Sequence, residues 1–142
     1  MPDARAALDP LRATCEAIVK GGRQIFRWAW DDRFDAALSP FPVDVSATAH
    51  ALLEQHLATC WTKDTIGHAG LDVRRATASF GDLREGQEMF LTDPGRPLTL
   101  VGCWWPWGSG DTISLRLKLL ARDASQPDER MLRGEFRSWF GV

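Results

Sequence analysis

Residues 112–122 read TISLRLKLLAR, and this stretch decides the fold class. Aliphatic side chains alternate with polar or charged ones, because Ile113, Leu115, Leu117 and Leu119 are interleaved with Thr112, Ser114, Arg116 and Lys118. Successive side chains of a β-strand point to opposite faces, so a period of two places all four aliphatic side chains on one face. The stretch therefore predicts a strand with one buried and one polar face, which is typical of an antiparallel sheet covered by helices.

Weaker strand signals precede this stretch along the chain. Residues 87–92 and 97–105 are predicted strands, and Asp93-Pro94-Gly95 between them is a tight-turn signal. Residues 73–80 are a further, weak strand candidate. A sheet of three or four antiparallel strands is therefore expected within residues 73–122.

Segments with apolar residues at helical spacing precede and follow the predicted strands along the chain. N-terminal helices are predicted over residues 9–38, with a weak point at Gly21-Gly22, and over residues 46–61. The second half of the first segment has a stripe of apolar residues at a spacing of four: Phe26, Trp30, Phe34 and Leu38. A closing helix is predicted over residues 127–140. Helices grouped before and after the strands favour the α+β class over an alternating fold.

Length and composition indicate one globular domain spanning residues 1–142. The chain is 44% hydrophobic and 25% charged, which is enough to bury a core. Its net charge is −2 and it has no basic stripe, so nucleic-acid binding is not expected. Three cysteines without paired spacing do not suit a disulfide scaffold. We see no apolar signal segment and no bilayer-spanning run, so we expect a cytoplasmic location without membrane contact.

The sequence WWPWGSGD at residues 104–111 lies between two predicted strands and is expected to form a hairpin tip. If Pro106 pairs with Asp111, Trp105 lies opposite Thr112. A slip of one residue would break the alternation of buried and polar faces, so we favour this register.

The outward face of this hairpin would then combine an aromatic ring, a thiol and two cations near another indole in the loop: Trp105, Cys103, Arg116, Lys118 and Trp107. Aromatic planes beside guanidinium and ammonium groups suit a planar or anionic small molecule. The same face can instead contact a second subunit, or be covered by ordinary packing with the cationic stems lying over the indole. These three alternatives stay open at the level of sequence.

Trp28 and Trp30 lie about 160° apart around the predicted N-terminal helix. Both faces of that helix would therefore carry a large aromatic side chain. Either the helix is sandwiched between other elements, or Trp28 makes an intermolecular contact.

Metal-ligating residue types occur on the helix predicted over residues 46–61. His56 and Cys60 are one turn apart and can share one face, while His50 and Glu54 share another. A zinc site needs three or four converging ligands, whereas each face of this predicted helix carries only two candidate ligands. His56 and Cys60 are therefore weak metal candidates, and the simpler expectation is that no metal is bound.

Three hypotheses for function follow from these features. Surplus tryptophan without a convergent catalytic set favours a small, non-catalytic binding or interaction module, which we expect to self-associate. The first alternative is a small enzyme that uses Cys103, or a metal centre at His56 and Cys60, although no nucleophile motif accompanies the cysteine. The second alternative is a carrier with a pocket lined by Trp, Arg and Lys. No phosphate-binding loop is present, so no cofactor is expected.

Overall fold

The computed structural model describes residues 4–78, 80–121 and 129–142. Within these residues the chain forms a six-stranded antiparallel sheet in the order β1-β2-β6-β5-β4-β3. The strands are β1 (Ala29–Asp31), β2 (Ala36–Pro42), β3 (Thr59–Thr62), β4 (Glu88–Leu91), β5 (Leu98–Pro106) and β6 (Thr112–Ala121). The α-helices are α1 (Ala4–Gly21), α2 (Ser46–His56), α3 (Leu71–Ala78) and α4 (Glu129–Phe140). The predicted α+β class is confirmed, and the described chain has more strands than the predicted three or four.

The alternating stretch forms β6, which lies at the centre of the sheet between β2 and β5. Trp105 pairs with Ser114, whereas the predicted register paired it with Thr112. The register differs because the turn lies one residue further along the chain, where a hydrogen bond of 2.8 Å from the Trp107 N–H to the Thr112 carbonyl closes the hairpin. A shift of two residues returns every side chain to its predicted face, because strand side chains repeat with a period of two.

Helices cover both faces of the sheet. On the face that we call inner, α1, α2 and α4 pack on the aliphatic side of β6, around Ile18, Leu53, Leu115, Leu117 and Phe136. On the opposite, outer face, α3 lies over β4 and β5, where a second cluster contains Val73, Met89, Val101 and Cys103. The polar side of β6 therefore faces the same layer as α3.

The helix predicted over residues 23–38 is wrong, because this segment forms β1 and β2. The preceding helix α1 ends at Gly21. Phe26, Trp28 and Trp30 follow at a spacing of two, and all three pack against the inner core. A spacing of four is also a multiple of two, so Phe26 and Trp30 fit one side of an extended chain equally well. Phe34 belongs to the turn at residues 32–35 and contacts Arg116 and Trp105 on the outer face.

The helix predicted over residues 46–61 ends at His56. Leu57 adopts an extended conformation, with φ of −114° and ψ of 135°. The residues that follow form the edge strand β3, in which the β-branched Thr59 and the aromatic Trp61 have high strand propensity. Cys60 therefore lies on a strand instead of on α2.

Residues 73–80 do not form the weak strand that was predicted. Residues 71–78 are the helix α3, and its buried side chains Val73 and Thr77 are one helical turn apart. The turn-and-helix segment from residue 66 onward thereby becomes a cover for the outer face.

One further helix boundary differs from the prediction. Within the described residues α1 begins at Ala4 instead of near residue 9, and Pro10 lies inside it. Pro10 lies beyond the first turn of α1, so its ring removes one intrahelical hydrogen bond and the helix continues past it. The closing helix α4 is confirmed from Glu129 onward, while residues 127–128 lie outside the described residues. No helix in the described ranges is both long and apolar enough to cross a membrane.

Candidate functional site

Arg116 and Trp105, which the sequence placed on one face, are in contact on the outer face of the sheet. The guanidinium carbon of Arg116 lies 4.8 Å from the ring centroid of Trp105 and 5.4 Å from that of Phe34. The Nε of Arg116 donates a hydrogen bond of 2.8 Å to Oδ2 of Asp31. Only 18% of the arginine side chain and 12% of the aspartate side chain is exposed. The guanidinium is therefore stacked and paired within the chain.

Lys118 is held in a similar way. Its Nζ donates a hydrogen bond of 2.6 Å to the carbonyl of Phe34 and lies 5.9 Å from the ring centroid of Phe80. The ring of Phe80 lies 6.2 Å from that of Trp105. These contacts favour ordinary packing over ligand binding for the two cations and Trp105.

Cys103 is fully buried beneath the outer cover. Its Sγ lies 3.7 Å from Sδ of Met89 and donates to it. Burial raises the pKa of the Cys103 thiol to about 12, even though the nearby Arg116 and Lys118 act in the opposite direction. The thiolate is the reactive form of cysteine, so this environment gives no support to a nucleophilic role.

Trp28 is half-buried on the inner side. Its ring centroid lies 5.1 Å from that of Phe26 and 4.8 Å from that of Phe140. Trp30 packs on the same helix α4, with its ring 6.3 Å from Phe136. The expectation that Trp28 and Trp30 lie on opposite faces of a helix is wrong, because both belong to an extended segment.

Trp107 differs from these residues because 51% of it is exposed. Its indole N–H donates a hydrogen bond of 2.6 Å to Oγ of Ser114. The Gly110 N–H donates to its carbonyl at 3.0 Å, and its own N–H binds Thr112. The polar groups of Trp107 are thus satisfied inside the hairpin, while the aromatic ring faces solvent.

Exposed apolar residues of β2 and of the segment that follows it lie at the same end of the sheet. Pro40 and Pro42 pair with Ser114 and Thr112 on β6, and Val43 donates its N–H to the Asp111 carbonyl at 2.9 Å. We call this set the Trp107 surface, and its members are Pro40, Pro42, Val43 and Trp107.

Two carboxylates flank the Trp107 surface. Asp44 follows Val43 directly and is exposed. Asp111 lies in the hairpin loop, where hydrogen bonds from Ser109 and Thr112 hold the pKa of its carboxyl below the ordinary value. The surface is therefore apolar at its centre and negatively charged at its rim.

A second group of chemically active side chains lies between α2 and the β3–β4 edge. His50 contacts Glu54 through Nδ1 and Glu88 through Nε2, the latter at 2.9 Å. Cys60 Sγ donates a hydrogen bond of 3.2 Å to the same Oε1 of Glu88. Among the described residues His50, Cys60 and Glu88 form one potential metal-ligand group, which does not include His56.

This group is partly shielded from solvent. Burial, helped by the hydrogen bond to Glu88, raises the pKa of the Cys60 thiol to about 12. Burial lowers the pKa of His50, but the carboxylates of Glu88 and Glu54 outweigh it and the net shift is upward. The protonated thiol, which donates the hydrogen bond to Glu88, is therefore the favoured form.

A cavity of about 280 Å³ lies between α4 and β6. Trp30, Lys118, Arg133 and Phe136 belong to its lining, and Arg133 pairs with Asp35 at 3.2 Å. The pocket predicted for a small-ligand carrier has its nearest counterpart here, although with a different tryptophan and arginine. The carrier hypothesis stays a prediction.

Comparison of the chain with protein families, with curated proteins and with solved structures found no match.

Proposed function

We propose that this protein is a small binding module that docks a partner protein segment on the Trp107 surface. The observation that carries the proposal is the exposed but internally anchored ring of Trp107. Three free cysteines fit a reducing compartment, so a cytoplasmic location is part of the proposal.

The first supporting argument is preorganisation of the surface. Trp107 is held by hydrogen bonds at its N–H, its carbonyl and its indole nitrogen. Two of the other three members are prolines, whose backbone φ is already restricted. A surface that loses little conformational freedom on binding converts more of its contact energy into affinity. Tryptophan is also enriched among the residues that dominate protein interfaces.

The second argument concerns the chemistry of the partner. Asp44 and Asp111 place negative charge at the rim of the surface. A lysine or arginine beside apolar side chains can pair with these carboxylates and approach the face of the Trp107 ring. A second copy of the chain would bring like-charged rims together, so we assign the surface to a basic, partly apolar peptide segment.

The proposal predicts which sequences the protein selects from a random peptide library displayed on phage. Wild-type protein is expected to enrich peptides that combine Arg or Lys with apolar residues. Trp107→Ala should weaken binding of an enriched, synthesised peptide roughly tenfold or more, as for an interface hot spot. Asp44→Asn should weaken it less and reduce its dependence on salt, as measured by isothermal titration calorimetry.

Leu71→Ala is the matched control, because Leu71 is 61% exposed and lies on α3, away from the surface. Peptide affinity should be the same for this variant and the wild type. Enrichment of no basic peptide, or equal affinity of the Trp107→Ala variant, would overturn the proposal. If light scattering shows a dimer that Trp107→Ala converts to monomer, the occupant is a second copy, as the sequence analysis expected, and the basic-peptide assignment is wrong.

A further inference from the structure

We infer that His50, Cys60 and Glu88 form a binding site for a Zn²⁺-like transition metal ion, independent of the Trp107 surface. The three side chains come from α2, β3 and β4 and converge at the edge of the sheet. One atom of each, Nε2, Sγ and a carboxylate oxygen, lies within 4.8 Å of the other two.

Two of the three separations between these atoms are close to those of a loaded site. In a tetrahedral zinc site with ordinary bond lengths, neighbouring donor atoms are roughly 3.3–3.6 Å apart. Nε2 of His50 lies 2.9 Å from Oε1 of Glu88, and Sγ of Cys60 lies 3.2 Å from the same oxygen. The Glu88 oxygen therefore needs to move away from the other two donors by only a few tenths of an ångström to admit the ion, and the ligand atoms of His50 and Cys60 lie within 4.8 Å of each other. The ion would take the place of the protons that these contacts now share.

Glu54 supplies the support that metal-binding histidines usually have. Its carboxylate contacts Nδ1 of His50, which leaves Nε2 directed toward Cys60 and Glu88. A carboxylate that accepts the far N–H of a ligating histidine orients the ring and raises its basicity. Because His50 and Glu54 are four residues apart on α2, the helix itself sets this geometry.

Aromatic packing holds the imidazole ring from its other sides. The ring centroid of His50 lies 5.1 Å from that of Phe90 and 5.2 Å from that of Trp104. Both aromatic residues are buried on the inner face, at most 4% exposed. The histidine is thus fixed by the core, as a rigid ligand site requires.

The ligand types select the class of metal. A thiolate with an imidazole suits Zn²⁺ and Co²⁺, whereas Mg²⁺ and Ca²⁺ prefer oxygen ligands alone. The side chains of His50 and Glu88 are 27% and 23% exposed, so the site borders solvent. Three protein ligands leave a fourth tetrahedral position for water or another small ligand, which is the pattern of open zinc sites.

Titration of chelator-treated protein with Co²⁺ tests the site without any variant. Thiolate ligation produces an intense near-ultraviolet charge-transfer absorption, and we expect it to saturate at one ion per chain. Zn²⁺ should then displace Co²⁺ and abolish the absorption, while Mg²⁺ should not. Absence of the charge-transfer absorption, or saturation only at several ions per chain, would overturn the inference.

Variants then identify the ligands. Cys60→Ser should remove the charge-transfer absorption, and His50→Gln or Glu88→Gln should weaken Zn²⁺ binding roughly 100-fold or more in competition with a chromophoric chelator. Glu54→Ala should weaken it roughly 10-fold to 100-fold, because this residue orients a ligand without touching the ion.

His56→Gln is the matched control, since His56 lies on the same helix and outside the ligand group. It should bind Zn²⁺ like the wild type. Far-ultraviolet circular dichroism of each variant separates lost binding from lost folding. If folded Cys60→Ser protein keeps the wild-type Zn²⁺ affinity, the assignment of this site is wrong.

Discussion

The guanidinium of Arg116 lies between two aromatic rings and beside a carboxylate that is only 12% exposed. Burial alone would raise the pKa of Asp31, but the hydrogen bond and charge of Arg116, together with hydrogen bonds from the backbone of Arg33 and Phe34, outweigh this effect and hold the pKa below its ordinary value. The ionised form of Asp31 is therefore favoured in the folded protein. By linkage, a carboxyl with a depressed pKa stabilises the fold above the unfolded-state pKa of about 4 and loses this contribution as the pH falls.

This pair predicts a pH-dependent effect of Asp31→Asn. At pH 7 the variant should be less stable than the wild type by roughly 1.5–3 kcal/mol, the range for a hydrogen bond to a charged group. The difference should narrow as the pH falls below about 4, because the wild-type carboxyl then becomes neutral too. Urea denaturation across this pH range measures both quantities.

Asp32→Asn provides the comparison, because Asp32 is the neighbouring carboxylate and is exposed. Its effect on stability should stay within about 0.5 kcal/mol at every pH, as for ordinary surface substitutions. An effect of Asp31→Asn that is the same at pH 7 and pH 3 would show that Asp31 acts through packing and not through its charge.

At the scale of elements, α4 packs against the extended segment that contains Trp28 and Trp30 and also against helix α1. Phe136 is 2% exposed, and its ring lies 5.0 Å from Phe140 and 6.3 Å from Trp30. Met131 on the same helix is 38% exposed. Phe136 and Met131 therefore lie on sides of α4 that differ in burial.

Substitutions on the two sides of α4 should differ sharply. Phe136→Ala should destabilise the protein by roughly 3–5 kcal/mol, because it removes a buried ring and leaves a cavity. Met131→Ala should cost much less, about 1 kcal/mol or below, because Met131 is 38% exposed and its truncation leaves space that solvent can enter. Thermal unfolding of the two variants checks this. Similar losses for both would mean that the assigned orientation of α4 is wrong.

At the scale of the whole molecule, the sheet separates two apolar clusters. The inner cluster contains residues of α1, α2 and α4, and the outer cluster contains residues of α3. Strands β5 and β6 lie between the two clusters, whereas β1 and β3 are the edges of the sheet. The centre of the sheet is thus covered from both sides, and β1 pairs with a neighbour on one side only.

Native-state hydrogen exchange should reproduce this arrangement. Amides of β5 and β6 should exchange only through global unfolding, while those of β1 and β3 should exchange through local openings of lower free energy. Mass spectrometry of peptic fragments can resolve the difference. Equal protection of β1 and β6 would contradict a fold whose stability is concentrated at the centre of the sheet.

The strand at residues 112–122 and the closing helix could be predicted because local periodicity reports directly on burial. The same reasoning failed at residues 23–38, where a spacing of four fits both a helix and one side of a strand. Phe26, Trp28 and Trp30 at a spacing of two were the signal that favoured the extended form. Tertiary packing decided between the two, because α4 supplies the surface on which Trp28 and Trp30 are buried.

In the candidate sites, too, some contacts could be predicted from local sequence patterns and others depend on the tertiary fold. The sequence indicated the contact of Trp105 with Arg116, since strand alternation places both on one face, but only the fold supplied Asp31 and Phe34 as their partners. The sequence also indicated that His50 and Glu54 share one face of a helix, because a helix repeats every three to four residues.

Glu88 was missed, since it lies 38 residues from His50 and no local pattern links them. By itself the sequence therefore determined the α+β class and the face on which each side chain of β6 lies. The tertiary structure alone decided the register, the strand at residues 59–62 and the convergence of Cys60 with His50 and Glu88. Periodicity encodes which side of an element is buried, whereas the partner on that side depends on how distant segments pack together.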